Sequence, residues 1–154
     1  EAMDTCIETL TTLNKTAAEG FARFDVHSAT DVTGFGFGGH AFEMAEGSKA
    51  TLAIDFGSIP IMAEALDMYQ KGVTTGVNAA NHEQIDASIR FDRDLSLAEQ
   101  EILVDPQTSG GLLVALPASE GEAAIAALKA AGVSAACQVG VVEPRDADTA
   151  LAIR

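Results

Sequence analysis

The residues best suited to chemistry lie between Thr30 and Gly39, where an acidic side chain is followed at once by a glycine-rich turn, TDVTGFGFGG. Glycine permits positive φ and close approach of another backbone, and successive backbone N–H groups in such a turn can face an anion. The carboxylate of Asp31 repels phosphate, but it can hold a hard cation such as Mg²⁺ that bridges to one. The segment therefore predicts a metal–phosphate site in which Asp31 is a metal ligand.

A second glycine-rich segment reads DPQTSGGLL and begins at Asp105. Pro106 directs a turn because its ring fixes φ. The hydroxyl and glycine residues of this segment that could meet a ligand are Thr108, Ser109, Gly110 and Gly111. An ordinary turn between a helix and a strand explains the same residues, and from the residues alone it is the favoured interpretation.

A dinucleotide site is the main alternative for the first segment. Gly34, Gly36 and Gly39 have the spacing G-x-G-x-x-G. Asp55 ends the next predicted strand, roughly where a ribose ligand would lie. This pattern is a weak signal by itself, and the strand predicted before it contains several polar residues, which suits a buried parallel strand poorly. We therefore favour the metal–phosphate site.

The elements that must position these residues follow from hydrophobic periodicity and from turn residues. Helices are predicted at 2–19, at 40–46 with Gly47 as its end, from Pro60 to Gly72, at 97–103 and at 119–131. Strands are predicted at 24–32, 49–55, 88–91, 112–116, 135–142 and 149–153. Residues 73–86 have no clear period and are predicted to be a loop. The alternation predicts an α+β fold, a layered α/β sandwich with a mixed sheet flanked by helices.

The composition limits the partners of this fold. The chain has 154 residues, of which 47% are hydrophobic, enough for the core of one domain. A net charge of −14, from 23 acidic and 9 basic residues, argues against binding to nucleic acid or to an anionic membrane. A nucleotide would need Mg²⁺ or cationic groups from elsewhere. Cys6 and Cys137 are expected to be reduced, buried thiols of a cytoplasmic protein.

Together the two segments resemble the signature motifs of one enzyme family. TDVTGFGFGGH at residues 30–40 and DPQTSGGLL at residues 105–113 are similar to the motifs of the selenophosphate synthetases, also called selenide, water dikinases. Residues 3–6 and 13–15 resemble the first helix of that family's C-terminal domain. The likeness covers essentially the whole chain. Turns like DVTGFG also occur across the wider superfamily, which includes aminoimidazole ribonucleotide synthetase and thiamine-phosphate kinase.

The resemblance implies an activity and its cofactors. Enzymes of this family make selenophosphate from selenide and ATP, with release of AMP and orthophosphate. ATP lies mostly on the N-terminal domains of a homodimer, where several Asp residues hold Mg²⁺. The position of Asp31 matches the Asp that the C-terminal domain contributes. The reactive Cys or selenocysteine belongs to an N-terminal segment, and neither Cys6 nor Cys137 matches it.

The resemblance also implies roles for the turn residues. Thr33, Gly34 and Gly36 are expected to shape the backbone around Asp31. The residues expected to form a facing wall or a domain interface are Thr108, Ser109, Gly110 and Gly111. His40 closes the first motif and is expected to pack or cap near the turn. His27 and His82 are expected to be surface or satisfied polar residues.

The middle of the chain departs from the family's pattern. In residues 73–81, Gly76 and Asn81 match a stretch like P-G-G-T-x-x-N, whereas its Pro and a basic residue are absent. The chain opens in a helical pattern without an initiator Met. Residues 1–154 are therefore expected to be a C-terminal domain that lacks its N-terminal ATP-binding domain and is inactive alone.

Two alternatives stay open from the sequence. One is another ATP-dependent enzyme of the same superfamily, acting on an amidine or a thiamine precursor. The other is a non-catalytic αβ domain used for dimerisation or as a scaffold. The sequence upstream of Glu1 would separate them, because an enzyme of this family should carry a glycine-rich segment with a reactive Cys or selenocysteine.

Overall fold

Helices and strands alternate along most of the chain in a computed structural model that describes residues 2–154. The helices are α1 (Ala2–Thr11), α2 (Lys15–Phe21), α3 (Gly36–Ser48), α4 (Ala63–Gln70), α5 (Asn78–Ile85), α6 (Leu97–Leu103) and α7 (Gly121–Ala130). The strands are β1 (Ser28–Asp31), β2 (Ala50–Ile54), β3 (Ile89–Phe91), β4 (Leu112–Ala115), β5 (Gly140–Pro144) and β6 (Leu151–Ile153). Two short 3₁₀ turns lie at Phe56–Ser58 and Ala118–Glu120.

The strands form two sheets. A four-stranded sheet has the order β3-β6-β2-β5, in which β2 is parallel to β6 and antiparallel to β5, and β3 is parallel to β6. The second sheet is the antiparallel pair β1-β4, in which Asp31 lies opposite Leu112. The predicted α+β class with a mixed sheet is therefore confirmed, and the strand that carries Asp31 belongs to the smaller sheet.

The core lies between the four-stranded sheet and α3. In the centre of that sheet, the three residues of β6 are almost completely buried, as are Leu52 and Ile54 of β2. α3 faces the sheet with small residues, Ala41 and Ala45, which are fully buried. Because these alanines have small side chains, α3 can pack closely against the sheet.

The segment predicted to be a loop, residues 73–86, contains a helix instead. α5 spans Asn78–Ile85 and packs against α3. Its buried side chains are Asn78, Asn81 and Ile85, so the buried face of the helix is mostly polar. The prediction was wrong because hydrophobic periodicity cannot reveal a helix that is fixed by long-range hydrogen bonds.

Several predicted boundaries also differ from the structure. The helix predicted at 2–19 is two helices separated by a break at residues 12–14, and the side-chain amide of Asn14 in this break donates to the carbonyl oxygen of Gly110 at 3.0 Å. Gly47 lies inside α3, which instead ends at Ser48 and is followed by Lys49, a capping residue with a left-handed φ of 51°. The strand predicted at 135–142 begins only at Gly140, where an added Cβ would lie 2.2 Å from the oxygen of Ala53.

The two cysteines are free thiols, but neither is buried, contrary to the prediction. Cys6 is half-buried and Cys137 is exposed. Cys137 lies in an irregular segment before β5. Within residues 2–154, no helix combines the length and the apolar character needed to cross a membrane.

Candidate functional site

Asp31 is the last residue of β1, and its side chain is exposed. Its carboxylate has no hydrogen-bond or ion-pair partner among residues 2–154. It lies at the edge of an open groove between α2 and the β1-β4 sheet. The groove is lined mainly by apolar residues, together with two acidic ones: Ala18, Phe21, Ala22, Phe24, Asp25, Val26, Ala29, Thr30, Asp31, Leu112 and Val114. A free carboxylate therefore borders an uncovered apolar surface.

The glycine-rich turn brings the two sequence motifs into contact. Gly36 begins α3 with a φ of 68°, a conformation that favours glycine. A Cβ added at Gly36 would lie 2.6 Å from the carbonyl carbon of Val104 and 2.9 Å from the oxygen of Asp105. Glycine is therefore required here for two independent reasons, the backbone conformation and the close approach of the second motif.

Backbone hydrogen bonds join the two motifs along their length. Val32 N–H donates to the oxygen of Gly111 at 2.9 Å, and Gly110 N–H donates to the oxygen of Val32 at 3.0 Å. Gln107 N–H donates to the oxygen of Thr33 at 3.0 Å. A Cβ at Gly110 would lie 2.5 Å from the oxygen of Val32, so this glycine permits the contact. The DPQTSGG segment is thus laid directly against the segment that follows Asp31.

The same hydrogen bonds limit which amides could face an anion. Gly36 N–H donates to the oxygen of Thr33, and Gly110 N–H is used as described, so neither points at a ligand in this structure. Gly34, Thr108 and Gly111 are exposed, whereas Ser109 is half-buried. The ligand-binding roles of these residues stay predictions, and the structure shows only where they lie.

His40 holds the turn from the side of α3. Its ring is buried and bridges two groups, with Nε2 at 2.9 Å from the hydroxyl of Thr33 and Nδ1 at 3.1 Å from a carboxylate oxygen of Glu43. Its ring also packs near that of Phe35, with centroids 5.4 Å apart. The hydroxyl of Thr33 is therefore directed toward His40, in keeping with the packing role expected of this histidine.

Sequence reasoning gave no site role to two asparagines that tie the motifs together. The side-chain amide of Asn81 donates to the oxygens of Gly34 and Val104, at 2.9 and 3.0 Å. Asn14, in the break between α1 and α2, donates to the oxygen of Gly110. The only signal for Asn81 was its match to the family's pattern, and hydrophobic periodicity carries no such information.

A polar network fixes Asp105, the first residue of the second motif. The Tyr69 hydroxyl donates to one carboxylate oxygen of Asp105, and the Gln107 side-chain amide donates to the other at 2.5 Å. Burial and the hydrogen bond to Asp105 raise the pKa of Tyr69 far above its usual range, so Tyr69 stays a donor. Both oxygens of Asp105 are occupied, which leaves Asp31 as the free carboxylate of the motif pair.

The donors present fit Mg²⁺ only as part of a shared site. Residues 2–154 contain no group of three or more His, Cys, Asp or Glu side chains arranged to hold a metal ion. A single exposed carboxylate is nevertheless a suitable ligand, because Mg²⁺ in nucleotide enzymes is often held by one or two carboxylates together with phosphate oxygens and water. Asp31 fits this pattern as one ligand among several.

The dinucleotide alternative is wrong. A dinucleotide fold needs β1 and β2 parallel in one sheet, but β1 pairs antiparallel with β4, and β2 belongs to the other sheet. The carboxylate of Asp55 is also engaged, since it accepts from Gly57 N–H at 3.1 Å and from the Ser58 hydroxyl at 2.6 Å. Asp55 caps a 3₁₀ turn in this structure.

Both a family model and individual relatives match the sequence of this chain. The family model described as "AIR synthase related protein, C-terminal domain" matches residues 3–152. The "Selenide, water dikinase" of Agathobacter rectalis is 41% identical over 145 residues, which cover 94% of this chain and 42% of that protein. The protein of the same name from Clostridioides difficile is 37% identical, covering 92% of this chain and 41% of the relative. The chain thus spans about two-fifths of the length of these relatives.

A solved structure supports the fold. The crystal structure of the hydrogenase maturation protein HypE matches 88% of this chain and 35% of its own, with a TM-score of 0.54 and 17% identity. The relatives confirm the resemblance to selenide, water dikinases that the two motifs predicted. The chain therefore belongs to the family of AIR synthase related proteins, as their C-terminal domain.

Proposed function

We propose that this chain is the C-terminal part of a selenide, water dikinase that makes selenophosphate from selenide and ATP and releases AMP and orthophosphate. The observation that carries the proposal is the joining of the two motifs, which leaves the Asp31 carboxylate free at the edge of an open groove. Relatives named "Selenide, water dikinase" support the same activity. The nucleophile and most of the nucleotide site would lie in the remainder of a longer enzyme.

In this proposal the residues of the chain act by positioning. Asp31 would be one of the residues that hold Mg²⁺ when the nucleotide is bound, and Gly36 lets the second motif approach closely enough to fix the turn that follows Asp31. Bound Mg²⁺ would neutralise the charge of the polyphosphate. The exposed residues Gly34, Thr108 and Gly111 would form part of the wall of the site that receives Mg²⁺ and the phosphates.

The apolar groove beside Asp31 suggests where the rest of the enzyme lies. Water-exposed apolar surface is stabilised when another apolar surface covers it. We infer that the ATP-binding domain covers the groove, because that arrangement brings the nucleotide to Asp31 and buries Phe21, Ala29 and Val114. Such a domain would also supply the cations that a chain with a net charge of −14 lacks.

Two further features of the enzyme are inferred with this function. A homodimer is expected from the resemblance to the selenophosphate synthetases. A reducing, cytoplasmic location accords with two free cysteines. Size measurement of the longer enzyme in solution and its cellular fractionation test these two inferences separately.

Phosphorus NMR of the longer enzyme with Mg²⁺ and ATP, with and without selenide under anaerobic conditions, tests the proposed reaction. We expect AMP to form only with selenide, together with a new signal from a phosphorus–selenium bond. Conversion of ATP to ADP would instead indicate a kinase of the same superfamily. No turnover in a folded, metal-loaded enzyme would favour the non-catalytic alternative.

A further inference from the structure

The side chain of Asn81 connects the two turns of the site through a single nitrogen atom. It lies on α5, is only 5% exposed, and donates its two amide hydrogens to the oxygens of Gly34 and Val104. Gly34 lies in the turn between Asp31 and α3, and Val104 directly precedes Asp105. One amide therefore bridges the segment that presents Asp31 and the segment that packs behind it.

The chemistry of this bridge is specific to a neutral amide. The two carbonyl oxygens need two N–H donors, which one amide group supplies. An Asp carboxylate at this position could donate to neither oxygen, because it only accepts hydrogen bonds. Val104 is completely buried, and an unpaired buried carbonyl is unfavourable. The bridge lies beside the close contact between Gly36 and Val104, where no Cβ fits. Asn81 thus determines how the two turns meet.

We propose that Asn81 is a positioning residue for the phosphoryl transfer, which holds the Gly34 turn against Val104 and so maintains the orientation of Asp31. This inference rests on the proposed function, because it assigns Asn81 a purpose within that site. Asn81 does not contact the metal or the substrate in this account. Its effect passes through the backbone between Gly34 and Asp31.

Asn78 provides a matched control on the same helix. It is 2% exposed, and its amide donates to the Tyr69 hydroxyl at 3.2 Å and to a carboxylate oxygen of Glu101 at 2.6 Å. These bonds connect α5 to α4 and α6, and Asn78 makes no hydrogen bond to Gly34 or Val104 in residues 2–154. Substitution of Asn78 therefore reports the cost of losing a buried amide without loss of the bridge.

The kinetic test compares Asn81→Leu with Asn78→Leu in the longer enzyme, with rates normalised to the folded fraction. Asn81→Leu is expected to lower kcat by about tenfold to a hundredfold, the effect of a small misplacement at a catalytic centre. It should also raise the Mg²⁺ concentration that gives half-maximal turnover. Asn78→Leu should change both by less than Asn81→Leu does, since it removes hydrogen bonds to Tyr69 and Glu101 but keeps the bridge to Gly34 and Val104.

A second readout does not depend on activity. Hydrogen exchange in the 154-residue chain follows the amides of Gly36 and Gln107, which both donate to the oxygen of Thr33. We expect Asn81→Leu to speed their exchange relative to the amides of β6, and Asn78→Leu, which keeps the bridge, to speed it clearly less. If Asn81→Leu does not fold, Asn81→Ser takes its place in both experiments, since its hydroxyl can donate to one carbonyl at most.

The outcomes separate this proposal from the proposed function. Wild-type kcat and Mg²⁺ dependence in a folded Asn81 variant would overturn the positioning role, as would equal amide exchange in the Asn81 and Asn78 variants. Absence of selenide-dependent AMP from the unsubstituted enzyme would instead overturn the proposed function. The exchange experiment would still show in that case whether Asn81 holds the two turns together.

Discussion

Gly36 shows how a single residue can join two distant motifs. Its φ of 68° is a conformation that favours glycine at the start of α3. The absence of a side chain makes room for the backbone of Val104 and Asp105. Gly34, two positions earlier, has a φ outside the left-handed region and open space around it. Gly36 and Gly34, two of the four glycines of this motif, therefore serve different purposes: packing requires glycine at position 36 but not at position 34.

This contrast predicts the stability of two alanine variants. Gly36→Ala should lower the free energy of unfolding by about 2 to 4 kcal/mol, because the added methyl group meets backbone atoms and the conformation is strained. Gly34→Ala should change it by less than about 0.5 kcal/mol. Denaturant unfolding of the 154-residue chain measures both. Equal stability of the two variants would show that the close approach at Gly36 is not present in solution.

Tyr69 allows a prediction about pH, because it is the only tyrosine in the chain. Burial and the hydrogen bond to Asp105 raise its pKa well above the usual value of 10.0. The native state therefore holds this proton more tightly than the unfolded state. Its contribution to stability is complete below the pKa of the unfolded state and decreases as the pH rises above it.

Tyrosinate absorbance reports this group alone. In denaturant, the phenol of Tyr69 should be half ionised near a pH of about 10. At the same pH we expect no ionisation of Tyr69 in the native chain. The native signal should develop only with unfolding. Identical titration curves for native and unfolded chains would show that the Tyr69–Asp105 hydrogen bond does not form in solution.

Among the elements, α6 illustrates what can be read from the sequence. Its bounds, Leu97–Leu103, are those predicted, since its signals are local: Ser96 begins it with a capping box to Glu99, and Pro106 follows soon after its end. α5 was missed because its buried face carries two asparagines whose partners lie far away in the chain. The contact between the two motifs also joins residues that lie far apart in the sequence. The sequence could therefore suggest the site but not the Asn81 side chain that bridges its two turns.

The capping box of α6 makes an element-scale prediction. Ser96→Ala should lower the free energy of unfolding by about 1 kcal/mol, because it removes the acceptor for Glu99 N–H. Ser134→Ala, at an exposed loop position, serves as the control and should have little effect. Thermal unfolding at neutral pH compares the two. A Ser96→Ala variant as stable as Ser134→Ala would contradict the assigned cap.

The same capping box has a defined pH dependence. Hydrogen bonds from Ser96 lower the pKa of Glu99, so this carboxylate stabilises the fold above its unfolded pKa, and that stabilisation is lost as the pH falls through its folded pKa. The difference between the wild type and Ser96→Ala should therefore shrink in acid. Unfolding measured across the acid range checks this, and a constant difference would contradict it.

At the scale of the whole molecule, the acidic chain and its uncovered groove are consistent with a partner that brings both apolar surface and positive charge. Predicting the α+β class required only the alternation of helices and strands, whereas the division into two sheets depends on long-range pairing that periodicity does not specify. That division matters for function, because it places Asp31 on a small sheet with one open face.

The groove predicts a difference between the chain alone and the longer enzyme. Ala29 is exposed and lines the groove, so Ala29→Glu should change the stability of the 154-residue chain by less than about 0.5 kcal/mol. In the longer enzyme it should lower turnover and thermal stability, because the charge would be buried beneath the ATP-binding domain. Ala126→Glu, on the exposed side of α7, should affect neither protein. If Ala29→Glu leaves the turnover and the thermal stability of the longer enzyme unchanged, the ATP-binding domain does not cover the groove.

The central claim is that Asp31 is a metal ligand in a selenide-dependent phosphoryl transfer, and Asp31→Asn tests it most directly. AMP formation by the longer enzyme is measured against Mg²⁺ concentration, with and without selenide, beside Asp94→Asn as an exposed control. We expect Asp31→Asn to remain folded and lose selenide-dependent AMP formation by about a hundredfold or more, while the control behaves as the wild type. Wild-type turnover and Mg²⁺ dependence in a folded Asp31→Asn enzyme would contradict the account.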